Sequence, residues 1–238
     1  MVWADRGGLA RSLFGRSACG HCRQALPPIH LIPIVSWLFL RGRCAFCKHR
    51  LSPVYPLFEA GVGFALALVW VRHLGWNPDL FLVDGHLWGL LARDVTFTIV
   101  LALLFIYDLR RMLLPDRITI PGIMIALVWN AVLGFPESDL ALGGLFVGGF
   151  FLVQYLVSRG RWVGGGDVRM GVLLGVMLGL LGGIEAVFVA YILGALVALV
   201  LLALGRATRK TPLPFGTFLA VAGFVVLLWG RELLSFVF

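Results

Sequence analysis

Two short segments bring carboxylates to places where an otherwise apolar chain avoids them. One runs from Asp108 through Arg110, Arg111 and Pro115 to Asp116 and Arg117, and the other is Gly164-Gly165-Gly166-Asp167-Val168-Arg169. Two carboxylates that meet at a partly desolvated site cannot both ionise easily, so one keeps a proton while the other can activate water. That division of labour is what aspartic proteolysis requires. Three consecutive glycines before Asp167 permit unusual backbone conformations and let another chain come close, as an extended peptide must before it is cut. The plainer alternative is that Gly164, Gly165 and Gly166 form a loop, and that Asp108, Asp116 and Asp167 are ordinary loop carboxylates paired with Arg110, Arg117 and Arg169. Glu59, near the start of the first apolar span, is a further candidate. Asp79, Asp84, Asp94, Glu137, Asp139, Glu185 and Glu232 fall in or beside the opposite loops and are expected to be solvated.

A second constellation lies near the N-terminus. Cys19-Gly20-His21-Cys22 and Cys44-Ala45-Phe46-Cys47 are two C-x-x-C knuckles separated by twenty-one residues. Paired knuckles at this spacing read as a tetrahedral four-cysteine zinc site, structural because four thiolates leave no open position for water. The alternatives are two disulfides or unconnected thiols. His21 could be a ligand only by displacing a cysteine, and is expected to sit exposed on its knuckle. A head of about 50 residues with so little apolar periodicity needs such a staple to fold.

The elements that must position these groups are membrane spans. The 238 residues are 60% hydrophobic and 13% charged, with net charge +8, against about 25% charged in a soluble domain. The basic residues are not gathered on one aromatic-laced polar face, which argues against nucleic acid. Seven apolar segments, at about 56–72, 90–107, 118–134, 141–158, 168–183, 184–204 and 215–237, approach the ~20 residues that cross a bilayer. The fifth and sixth are divided only by Gly182, Gly183 and Glu185. The segment Ile29–Leu40 is too short to span and carries Pro33, so it is expected in the interface or against the head. Lys and Arg number eight in the head, then two, three, none, three, none, three and one along the successive gaps. This alternation predicts a cytoplasmic N-terminus, which keeps the cysteines reduced and puts Asp108 and Asp167 on one face.

The chain is therefore expected to be all-α and polytopic, with about seven transmembrane helices: residues 1–53 form a cytosolic zinc-binding head and residues 54–238 a transmembrane domain. Arg110, Arg111 and Arg169 are expected to anchor at lipid phosphates. No residue repeat of fixed period is present, and no charged residue is expected mid-span, which disfavours a transporter. A noncatalytic zinc-headed membrane scaffold is the rival reading.

Several motifs together resemble type IV prepilin leader peptidases, the aspartic membrane proteases that also process type II secretion pseudopilins. They are the paired knuckles, Pro33-Ile34-Val35-Ser36-Trp37-Leu38 followed by Arg41-Gly42-Arg43-Cys44, Tyr55-Pro56-Leu57-Phe58-Glu59, Asp108 with Leu114-Pro115-Asp116-Arg117-Ile118-Thr119, Gly164-Gly165-Gly166-Asp167, and Pro214-Phe215-Gly216. The resemblance implies that the transmembrane domain, residues 54–238, is an aspartic peptidase, with catalysis by Asp108 and Asp167, Asp116 and Glu59 in support, Gly164 to Gly166 beside the substrate, and Zn2+ on Cys19, Cys22, Cys44 and Cys47. It implies removal of a basic leader from a prepilin or pseudopilin at the cytoplasmic face of a bacterial inner membrane. Members with a cysteine head also methylate the new N-terminus with S-adenosylmethionine. This chain departs from them in starting almost directly with the head, without a preceding helix, and in having Gly20 and Leu31 where proline and asparagine are usual.

Overall fold

The computed structural model describes residues 18–19, 21–75, 85–208 and 211–237. Asp79 and Asp84 lie outside them. The chain divides into two compact units, Met1–Phe64 and Ala65–Phe238. Among the described residues there are seven α-helices, one 3-10 turn and no strands. The helices are α1 (Val35–Phe39), α2 (Val54–Leu74), α3 (Gly85–Arg111), α4 (Asp116–Val132), α5 (Glu137–Ser158), α6 (Gly165–Ala203) and α7 (Phe215–Val237).

In the first unit the segment Ile29–Leu40, preceded by Pro27 and Pro28 and broken at Pro33, makes only the 3-10 turn Pro28–Leu31 and the short α1. Two knuckles flank these turns and repeat one conformation. The Cys19 N–H donates to the Gln24 carbonyl and the Arg23 N–H returns to Cys19; likewise the Cys44 N–H donates to His49 and the Lys48 N–H to Cys44. Arg23 (φ 58°) and Lys48 (φ 55°) occupy matching left-handed positions. The sequence shows no repeat here because the two turns share a backbone path more than they share residues.

Four of the described helices are long and apolar enough to cross a membrane: α2, α3, α5 and α6. Six of the seven apolar segments of the sequence fall on one helix or one arm of a helix, while the fifth, 168–183, runs across a break in α6, which is not straight. Gly179 takes φ 76° and ψ −175°, a conformation that only glycine adopts readily. The chain folds back there, so that Gly183 returns to the backbone of Gly175. The break thus lies at Gly179, ahead of the expected Gly182–Glu185 junction, and Glu185 belongs to the second arm.

Two carboxylates expected to be solvated are instead part of this architecture. Asp139 accepts the Leu180 N–H (3.2 Å), a donor freed by the break. Asp94 is 2% exposed, in α3, where it takes Arg93 Nε (2.7 Å) on one oxygen and His73 Nε2 (2.7 Å) on the other. Arg93 also donates to Asn130 Oδ1 (3.3 Å), and Asn130 Nδ2 donates to the Val176 carbonyl (2.8 Å) beside the break. A charge in an apolar layer is tolerable only when paired in this way, and periodicity alone does not reveal the pairing.

Around these contacts the core is Phe97, Leu104, Phe151, Met170, Leu173, Leu174 and Leu219, all fully buried. The arm 165–178 lies at its centre. Gly143 and Gly175 meet backbone to backbone, where a side chain on either would collide with the other, the small-residue contact that lets membrane helices approach closely.

Candidate active site and metal cluster

Asp108 ends up buried because the last turn of α3 packs against the start of α7. Its Oδ2 accepts both the Thr217 N–H (2.7 Å) and the Thr217 hydroxyl (3.1 Å). The first turn of any helix has N–H groups without intrahelical partners, and its dipole favours a carboxylate. The sequence Phe215-Gly216-Thr217 builds this cradle. Phe215 is wedged against Tyr191 and Phe151, with ring centroids 4.9 and 6.0 Å away. Gly216 has no side chain to strike Asp108, whose Cγ and Oδ2 would lie 3.0 Å from a Cβ there. Thr217 then supplies the donors.

Asp167 sits in the first turn of α6 and reaches back so that Oδ2 accepts the Gly164 N–H (2.9 Å). The charges of Asp108 and Asp167 are close enough to interact. Leu114 links the two cradles: it touches the position a Cβ would take at Gly166 (3.0 Å) and at Gly216 (2.9 Å). The pair is therefore assembled from the end of α3, the 112–115 turn and the starts of α6 and α7. Chemically, it offers two carboxyl groups at one end of a helical bundle, suited to general acid and base work on the same substrate.

The glycine run is not a loop. Gly164 caps α6, and Gly165 and Gly166 form its first turn with ordinary backbone angles. What matters is their missing side chains: Gly166 packs on Leu114, whereas Gly165 faces open space. Asp116 opens α4 and forms a two-pronged ion pair with Arg169 (2.9 and 3.1 Å), so Arg169 is held by protein and Asp116 does not pair with Arg117. Glu59 belongs to the first unit, where it accepts the Ile34 N–H (2.8 Å). Thr217 is not singled out by the sequence, and Leu114 stands there only within the Leu114–Thr119 motif, without a role of its own. A Gly-Thr pair opening a helix just after Pro214 is the signal that marks the former.

In the first unit the four sulfurs of Cys19, Cys22, Cys44 and Cys47 lie within 4.8 Å of one another, and Cys19 and Cys47 are 3.9 Å apart. A tetrahedron with metal–sulfur bonds of ~2.3 Å has edges of roughly 3.8 Å, so the cluster has the dimensions to hold a metal ion. No sulfur is in a disulfide. The backbone N–H groups of Cys22 and His21 hold the Cys19 thiol down at about 6. At Cys47 the His49 N–H favours the thiolate, but burial and the neighbouring thiols outweigh it and push the thiol up to about 11. Four thiolates this close need a cation. His21 is exposed and stacked on His49, with centroids 4.4 Å apart.

Residues 5–73 match the bacterial peptidase A24 N-terminal domain, and residues 95–199 match the type IV leader peptidase family. A prepilin leader peptidase/N-methyltransferase of Stutzerimonas stutzeri is 32% identical, over 97% of this chain and 78% of its own length. Proteins of the same name from Aeromonas hydrophila (34% identical, 92% and 73% covered) and Bacillus subtilis (30%, 93% and 84%) are similar. The chain belongs to the type IV leader peptidase family. Membership favours an enzyme over the noncatalytic scaffold, and with several long apolar helices it makes this leader peptidase a multi-pass membrane protein. No solved structure matches it.

Proposed function

We propose that this leader peptidase removes the leader of a type IV prepilin or type II secretion pseudopilin, with Asp108 and Asp167 as the catalytic pair. The observation that carries the reading is the seating of both carboxylates at adjoining helix starts, joined by Leu114. In the reaction, the ionised carboxyl takes a proton from water as the oxygen attacks the scissile carbonyl. The protonated partner donates to the carbonyl oxygen, and the carboxyls return a proton to the leaving amine as the C–N bond breaks. Thr217 fixes Oδ2 of Asp108, so Oδ1 is the oxygen left to face water. The open space over Gly165 admits the substrate backbone, while Asp116 supports the site by clamping Arg169 and α4 to α6.

The second part of the proposal concerns residues 1–53, as a zinc-binding head on Cys19, Cys22, Cys44 and Cys47, beside a peptidase domain of residues 54–238. Zinc fits a sulfur-only tetrahedral set and supplies folding energy, with no reaction step of its own. The names of the relatives support N-methylation of the new N-terminus with S-adenosylmethionine. That cofactor carries a sulfonium and ribose hydroxyls, groups that carboxylates recognise. Among the described residues of the first unit, Glu59, exposed and with one oxygen on Ile34, is the carboxylate that would face it. The charge alternation supports a bacterial inner membrane protein with a cytoplasmic N-terminus and cleavage on that side.

Mass spectrometry of a model prepilin incubated with the purified protein tests both activities. Leader loss, with one further methyl mass only when S-adenosylmethionine is present, is expected. Leader loss that persists in both Asp108→Asn and Asp167→Asn would overturn the assignment of the pair.

A further inference from the structure

The head carries an apolar strip that nothing in its own described residues covers. Ile29 (67% exposed), Leu38 (61%) and Phe39 (88%) project outward, accompanied by Ile32 and Val35. Only His30 and Ser36 interrupt the apolar composition between Ile29 and Leu40. Contiguous apolar surface of this kind marks a docking face.

Three observations say what it docks on. The first is a fixed point of attachment. The corner that aims the strip, Ile34 at φ 61°, is held by its N–H on the carboxylate of Glu59. Glu59 stands five residues beyond the start of α2, whose Val54–His73 window is long enough to cross a membrane. Five residues of helix rise ~7.5 Å, which matches the roughly 5–10 Å to which an amphipathic segment sinks into the headgroup boundary. The second is charge. Arg23, Arg41, Arg43, Lys48 and Arg50 are all exposed, and residues 18–58 contain no Asp or Glu. A divalent cation on four thiolates carries two negative charges, and the surface stays cationic. The third is covalent continuity, since the same unit runs directly into the span at Val54.

We infer that the strip Ile29–Phe39 lies in the plane of the membrane, on the side where α2 enters, its apolar residues against acyl chains and the flanking arginines and Lys48 on anionic lipid phosphates. The head is thereby a monotopic module seated on the bilayer at the foot of its own span, anchored by two kinds of contact as stable surface binding requires. The inference does not depend on which carboxylates cut the substrate.

The test places a photoreactive benzoylphenylalanine at Phe39 in the full chain, reconstituted in vesicles of phosphatidylethanolamine and phosphatidylglycerol, with the same probe at exposed His21 as the reference. Retention of bound metal verifies that each head is folded. The expected result is a phospholipid adduct on the peptide containing position 39, several-fold more abundant than at position 21. Equal labelling at the two positions, a crosslink from position 39 to residues 1–17 or another part of the chain, or a crosslink to added prepilin in place of lipid would each overturn it.

Discussion

Thr217 donates twice to one oxygen of Asp108, from its backbone at 2.7 Å and from its hydroxyl at 3.1 Å. The helix start would supply the first bond with any residue except proline, but the second needs a hydroxyl. Thr217→Val therefore keeps the fold and removes one hydrogen bond to an ionisable group, worth about 1.5–3 kcal/mol. The leader-cleavage kcat should fall roughly tenfold to a hundredfold, with Thr217→Ser restoring most of it. A Val variant that cleaves at the parental rate would show that the hydroxyl plays no part.

The glycines near the pair separate space from flexibility. Gly165→Ala should be nearly neutral, because nothing lies within 4 Å of its Cβ position. Gly166→Ala presses on Leu114 at 3.0 Å, and Gly216→Ala presses on Leu114 and Asp108 at 2.9 and 3.0 Å. Cleavage should decrease in the order Gly165, Gly166, Gly216 variants, while thermal unfolding in detergent changes little. Since all three positions have ordinary φ, equal losses would point to backbone freedom as the property being used.

How much of this is legible in the sequence depends on local punctuation. The cysteine spacing located the knuckles, and the loop charges brought Asp108 and Asp167 to one end. The reversal in α6 falls ahead of the junction expected from the sequence because Gly182 and Gly183 beside Glu185 form the more conspicuous local signal in an otherwise apolar run, whereas Asp139, forty residues before Gly179, selects the break there by taking the Leu180 N–H. Thr217 is hidden in the same way, its role existing only once α3 and α7 pack. Asp94 looks solvated in the sequence because its partner His73, and the Asn130 that holds its other partner Arg93, lie on other helices.

That network should dominate stability. Removing one member of a buried ion pair leaves the other uncompensated, at a cost of about 3–5 kcal/mol. Asp94→Ala should thus lower the unfolding temperature far more than Glu232→Ala, whose Arg72 partnership is half exposed. Asn130→Ala loses donors to the Val176 and Met177 carbonyls and should fall between them. Thermal scans in one detergent would rank the three.

Metal retention in the head should depend on pH in one direction. Binding four thiolates expels protons from every thiol still protonated, Cys47 at about 11 being the hardest to ionise. Affinity therefore falls as pH falls, more steeply once Cys19, at about 6, also takes up its proton. Metal content after dialysis at successive pH values should drop toward acid, and a chelator should accelerate the loss. Cys44→Ser should bind weakly even at pH 8. Constant metal content down to pH 5 would exclude a thiolate site.

The fold-back at Gly179 also sets a depth. The arm that begins beside Asp167 and ends at the break counts fourteen residues, 165 to 178, or ~21 Å of helix. A hydrocarbon layer is about 30 Å thick. Either the bilayer dimples around this arm or the carboxyl pair sits sunken beneath the level of the lipid phosphates, and both arrangements let water reach a peptide bond at the mouth of an apolar helix without that helix leaving the membrane. Lipid chain length then becomes a control on the enzyme: thinner membranes relieve the mismatch, and thicker ones deepen the well through which water must come.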